Sequence, residues 1–172
     1  MPATEAQENA STIDADFVNQ TRAISALSLL ASREGISHIH IPQIKAFANA
    51  EAVEQETTWK VLRSLSDSGA GDNSVSPSNS ELERHLVPLA QQLLQNLRNT
   101  DGTGFVREYF LLEVNVHQQL LRVQEDYLRL GSNKNYRSIS SLIDVLVREH
   151  LIYLDDIKNN VDAGKGTAAP AR

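Results

Sequence analysis

Residues 105–130 read FVREYFLLEVNVHQQLLRVQEDYLRL. Phe105, Tyr109, Leu112, Val116, Leu120, Val123, Tyr127 and Leu130 recur there at spacings of three and four. That period puts one apolar stripe on a long helix and predicts a core made of packed helices. Gly131 closes the helix, and the short link SNKNY leads to a further helix carrying Ile139, Ile143, Leu146, His150, Tyr153 and Ile157 at the same spacings. So short a link makes the two an antiparallel hairpin.

Working outward towards the N-terminus, a first helix is expected from Asp14, whose carboxylate suits a cap while Ile13 and Val18 staple across it. It runs to about Arg33 with Phe17, Ile24, Leu27 and Ala31 inward, and Gly35 is expected to end it. ISHIHI (36–41) reads as an extended connection. Pro42 suits the first turn of a second helix reaching about Asp67, with Ile44, Phe47, Val53, Val61, Leu62 and Leu65 as its apolar positions. The stretch DSGAGDNSVSPSNS (67–80) then reads as a flexible loop. Ser80 and Glu83 predict a capping box for a shorter segment with Leu82, Leu86, Leu89, Leu93 and Leu97, kinked at Pro88 and ended by DGTG (101–104). Two hairpins joined by one long crossover make the ferritin-like arrangement. The expected fold is therefore all-α, a ferritin-like four-helix bundle over residues 13–160 with a short kinked accessory helical segment. Flexible ends are expected at 1–12 and 161–172.

Composition narrows the function. The chain has 172 residues, 41% apolar and 22% charged, which suits a single globular core. Sixteen Lys and Arg against 22 Asp and Glu give a net charge of −6, a field that repels nucleic-acid backbones and anionic lipid surfaces. No apolar run is long enough for membrane insertion. With no cysteine there is no disulfide framework, thiolate metal site or thiol nucleophile. The opening MPATEAQENAST has neither a basic cluster nor an apolar run, so the chain as written is expected in the cytoplasm, or in the periplasm if it is a processed form. Neither a phosphate-binding glycine loop nor a nucleophile elbow is present.

Two histidines stand out by position. His150 replaces an apolar residue on the inner stripe of the last helix, and His117 lies one turn after Glu113. Glu51, Glu54 and Gln55 lie near the inner face of the second helix. Carboxylates and imidazoles facing inward from several helices suit iron, manganese or zinc. A standard di-iron set is not expected, because Glu113 to His117 is one residue too long for Glu-x-x-His and Val147 stands where the second such glutamate belongs. Inward histidines that only hydrogen-bond and fix helix register are the competing reading. His38 and His40 have no third ligand nearby, and His85 reads as a surface residue.

DFVNQ (16–20), IKAFANAEAVEQE (44–56), GFVREYFLLEVNVHQQLL (104–121) and REHL (148–151) together resemble a family of bacterial ferritin-like domains of unknown function, often labelled outer-membrane or periplasmic proteins. The resemblance spans Ile13 to Ile157. It implies a ferritin-like bundle and an exported protein, and His117 and His150 match the two histidines usual in the second half of the family. The family commonly has Asp-His where this chain reads Glu54-Gln55, and often a glutamate in the first helix, where this chain has no acid between Phe17 and Arg33.

Two functions follow as expectations. The first is a non-enzymatic bundle without a cofactor, acting through a protein partner or a second copy in envelope or stress physiology. The alternative is a ferritin-like protein holding iron, manganese or zinc at Glu113, His117 and His150 with Glu51 or Glu54.

Overall fold

No Gly or Pro interrupts the sequence from Ala3 to Glu34, and the computed structural model, which describes residues 3–66 and 75–162, joins this opening to the following stripe in one helix, α1 (Ala3–His38). It thus begins well before Asp14 and passes through Gly35. Asp14 is not a cap; its carboxylate accepts a hydrogen bond from the Tyr127 hydroxyl. Gly35 serves close packing instead of termination. A Cβ there would stand 3.2 Å from Ile39 Cδ1, 3.2 Å from Tyr109 Cε2 and 3.4 Å from Ala48 Cβ, so its absence lets α1 approach its neighbours. Only residues 39–41 remain as the connection, with Ile39 fully buried.

The second helix, α2, spans Pro42–Ser66. Its inner face is Ile44, Phe47, Ala48, Glu51, Gln55, Trp59 and Leu62, whereas Val53 is 67% exposed and Leu65 lies at the surface. Of the loop expected over 67–80, residues 67–74 lie outside the described residues. The accessory segment is two helices and not one kinked helix. In α3 (Asn79–Glu83) the cap is Ser78, whose Oγ accepts from the Glu81 amide, two residues ahead of the expected box. Pro88 opens α4 (Pro88–Arg98) at a first-turn position where it needs no donor, so it separates two helices. Two longer helices follow, α5 (Gly102–Leu130) and α6 (Lys134–Asp162). The tail beyond residue 162 lies outside the described residues.

Side-chain pairs fix the helix directions. Along α1, Phe17, Thr21, Ser28 and Ser32 meet Tyr127, Gln124, Glu113 and Tyr109 of α5 in reverse order, so α1 and α5 are antiparallel. Phe47 and Glu51 of α2 meet Tyr153 and His150 of α6, again in reverse order. With α5 and α6 joined by a three-residue turn (131–133), α2 and α5 run the same way, and the chain between them must travel back along the molecule. That return path carries α3 and α4, packed on α1, with α4 also on α5. Arg98 fastens it through Glu34 on α1 (2.8 Å) and Glu83 on α3 (2.9 Å). Among the described residues there is no strand, and no helix is long and apolar enough to cross a membrane.

Since Gly35 sits between Ile39, Tyr109 and Ala48, Gly35→Val should force these elements apart. We expect a loss of roughly 1–3 kcal/mol, read from urea midpoints; an unchanged midpoint would mean that the helices do not depend on this close approach.

Candidate metal centre

The inner stripes of four helices carry polar groups at one level. Ser28 comes from α1, Glu51 from α2, Glu113 and His117 from α5, and His150 from α6; Glu51, Glu113 and His117 are fully buried and His150 is nearly so. Glu51 Oε2, His117 Nε2 and His150 Nδ1 form a triangle with sides of 2.9, 3.0 and 3.4 Å. Donors about 2.1 Å from one ion stand about 3.0 Å apart at right angles and about 3.4 Å apart in a tetrahedron. These three residues can therefore hold one ion with little movement.

The remaining atom on each candidate ligand is already held. His117 Nδ1 lies 2.8 Å from the Glu113 backbone carbonyl, which directs Nε2 into the cluster. His150 Nε2 lies 2.9 Å from Glu54 Oε2, an ion-pair contact without ordinary hydrogen-bond geometry, and Nδ1 faces inward. Glu51 Oε1 accepts from Ser28 Oγ at 2.6 Å, while Oε2 has no hydrogen bond of ordinary geometry. Carboxylates and carbonyls behind ligating imidazoles are the usual means of fixing their tautomer and orientation.

The other expected site residues have different places. Glu54 is part-exposed and stands behind His150 at the edge of the cluster, near Glu149. Glu113 stands behind the triangle on the α1 side, with Oε2 2.8 Å from Ser28 Oγ and Oε1 3.4 Å from Ser32 Oγ. Ser32 in turn meets the Tyr109 hydroxyl at 3.0 Å. His38 stacks on Phe105 and His85 meets Trp59 edge-on, both away from the cluster. Sequence reasoning missed Ser28, Ser32 and Tyr109. The available signal was spacing, for Thr21, Ser25, Ser28 and Ser32 repeat at four, three and four along the same face as the apolar stripe of this helix.

Ser28 has one hydrogen and two carboxyl neighbours. It cannot donate to both, so donation to Glu51 requires a hydrogen from the Glu113 carboxyl. The electrostatics point the same way. Burial, and then the charge on Glu51, push the Glu113 carboxyl up to about 8, against the opposing pull of His117 and the two serines. Burial alone would raise Glu51 too, but the close contacts of His117 and His150, the His117 charge and the Ser28 hydrogen bond together hold it well below the usual carboxylate range. Burial disfavours the His150 cation, yet Glu51 and Glu54 on its two nitrogens push it up to about 10. His117 is likewise raised against its burial by Glu51 and Glu113. Between His117 Nε2 and His150 Nδ1 there is room for one proton only. A bound cation would take that proton's place.

A carboxyl raised in the folded state adds stability that is complete below its unfolded value and fades as pH rises through its folded value. For Glu113 that window runs from about 4.5 to about 8. In chelator-treated protein, Glu113→Gln should flatten the decline of the urea midpoint across this window, the amide still reaching Ser28. Identical slopes in the two proteins would show that Glu113 is ionised in both folded and unfolded chains.

No curated protein and no solved structure matches the chain. The family described as "Domain of unknown function (DUF4142)" matches residues 1–152, through α5 and most of α6. All the clustered residues fall within that span, and the chain belongs to the DUF4142 family.

Proposed function

We propose that this protein is a ferritin-like four-helix bundle that binds a single transition-metal ion through Glu51, His117 and His150. The antiparallel pairs α1–α2 and α5–α6, the parallel α2 and α5, and the long return between them support the ferritin-like reading. The observation that carries the metal reading is the triangle of inward ligand atoms, each on a side chain whose other polar atom has its own close neighbour behind. Two imidazoles and one carboxylate suit zinc or ferrous iron, with positions left for water or a small ligand. A second ion lacks ligands, since α1 offers Ser28 and Ser32 in place of a carboxylate and Glu113 is engaged by both.

A second reading, action through protein contacts, is supported by Leu142, Val145 and Ile152, which lie along one side of α6 and are each at least 66% exposed. The test separates the two. Protein stripped by chelator and reloaded with zinc, ferrous iron or manganese should hold one ion per chain by elemental analysis. Its stability should rise by about 2.7 kcal/mol at a hundredfold excess of metal over Kd. Glu51→Gln, which keeps the shape, should abolish loading, Glu54→Gln should weaken it by roughly 10- to 100-fold, and Glu113→Gln should retain it. A chain that stays empty, or takes two ions, would overturn the single-ion reading, and an empty chain leaves the α6 surface as the lead.

A further inference from the structure

A second cavity lies away from the Glu/His cluster. The N-terminal turns of α2 and α5 and the last turns of α6 enclose a pocket of about 480 Å³ walled by Ile44, Val106, Phe110, Leu111 and Ile157. That volume falls in the range of small-molecule sites. Ile44 and Ile157 form a buried floor, whereas Leu111 is 51% exposed, so the wall continues to the surface as uncovered apolar area.

Its charge is opposite to that of the molecule. The chain carries a net −6, yet Arg107 on α5 and Lys158 on α6 line this pocket, and among the described residues no carboxylate does. Among the described residues neither cation has an ion pair or hydrogen bond; Arg84 and Arg122 share that state but do not line this pocket. Two unneutralised cations beside an apolar cleft match a ligand with one anionic head and one hydrocarbon tail. The volume suits one alkyl chain better than a two-chain lipid.

We propose that this pocket binds a single-chain carboxylate amphiphile, the tail against Val106, Phe110, Leu111 and Ile157 and the carboxylate between Arg107 and Lys158. Guanidinium and ammonium donors give the head charge-assisted hydrogen bonds, and the tail removes exposed apolar surface from water. The proposal is independent of the metal reading, because none of these residues belongs to the Glu/His cluster.

The test is calorimetric titration of the full chain with sodium dodecanoate below its micelle-forming concentration, with dodecyltrimethylammonium as the probe of equal tail and opposite head. One saturable dodecanoate site is expected, with the cationic amphiphile at least about tenfold weaker. Arg107→Glu with Lys158→Glu should weaken dodecanoate by about tenfold or more, while Arg84→Glu with Arg122→Glu, an equal change of net charge elsewhere, should stay within about twofold. Leu111→Asp should weaken it as well. Absence of a saturable site, equal binding of the two amphiphiles, or equal losses in the two double variants would each overturn the proposal.

Discussion

The Glu51 carboxylate is fully buried, and the rest of the interior is arranged around that charge. An ionised carboxylate in a protein core is tolerable only when paired and hydrogen-bonded. Here the partners come from three other helices: Ser28 of α1, His117 of α5 and His150 of α6. Sliding any one of them by a turn, about 5.4 Å, would leave a buried charge or donor without its counterpart. Apolar stripes carry no such pairwise charge requirement, although close packing at sites such as Gly35 also restricts register. The polar level thus selects the register in which the four long helices meet.

Much of this architecture was legible before the structure. The period of α5 and α6, the brevity of the link between them and the length of the crossover follow from spacing alone, and His117 and His150 are conspicuous as polar residues on an apolar face. The α2 face was misread for an instructive reason. Its inward positions include Glu51 and Gln55, so a search for apolar residues moved the stripe onto Val53, which faces solvent. Allowing polar residues to count as inward gives the even series Ile44, Phe47 or Ala48, Glu51, Gln55, Trp59 and Leu62. Helix ends were the weakest part. Gly35 looked like a terminator because glycine commonly ends helices, but packing against Tyr109 and Ala48 demands the same residue for a different reason. Pro88 was read as a kink when it begins a helix.

The spacing of the α1 serines was visible, but their role was illegible for a chemical reason. A serine on a helix is most often a small, neutral filler, and nothing in the local sequence says that Ser28 will face two carboxyls. Only the tertiary pairing of α1 with both α2 and α5 reveals it. Once seen, it explains how two glutamates share a dry interior. A bare pair of carboxylates would repel, whereas a hydroxyl that donates to one and accepts from the other links an ionised and a neutral carboxyl in a single chain.

That chain has a direction. It starts at the part-exposed Glu54, passes through His150 to Glu51, and continues through Ser28 and Glu113 to Ser32 and Tyr109. Negative charge is concentrated towards its solvent end, where Glu54 and Glu149 stand near His150, and the buried end is neutral. On the proposed metal reading, an approaching cation would meet acidic groups before the imidazoles, and would displace the proton shared between the rings. Replacing Ser28 with a carboxylate would reverse this gradient and put two buried negative charges where there is now one. On the proposed reading, the hydroxyls on α1 would accordingly limit coordination to the triangle of Glu51, His117 and His150.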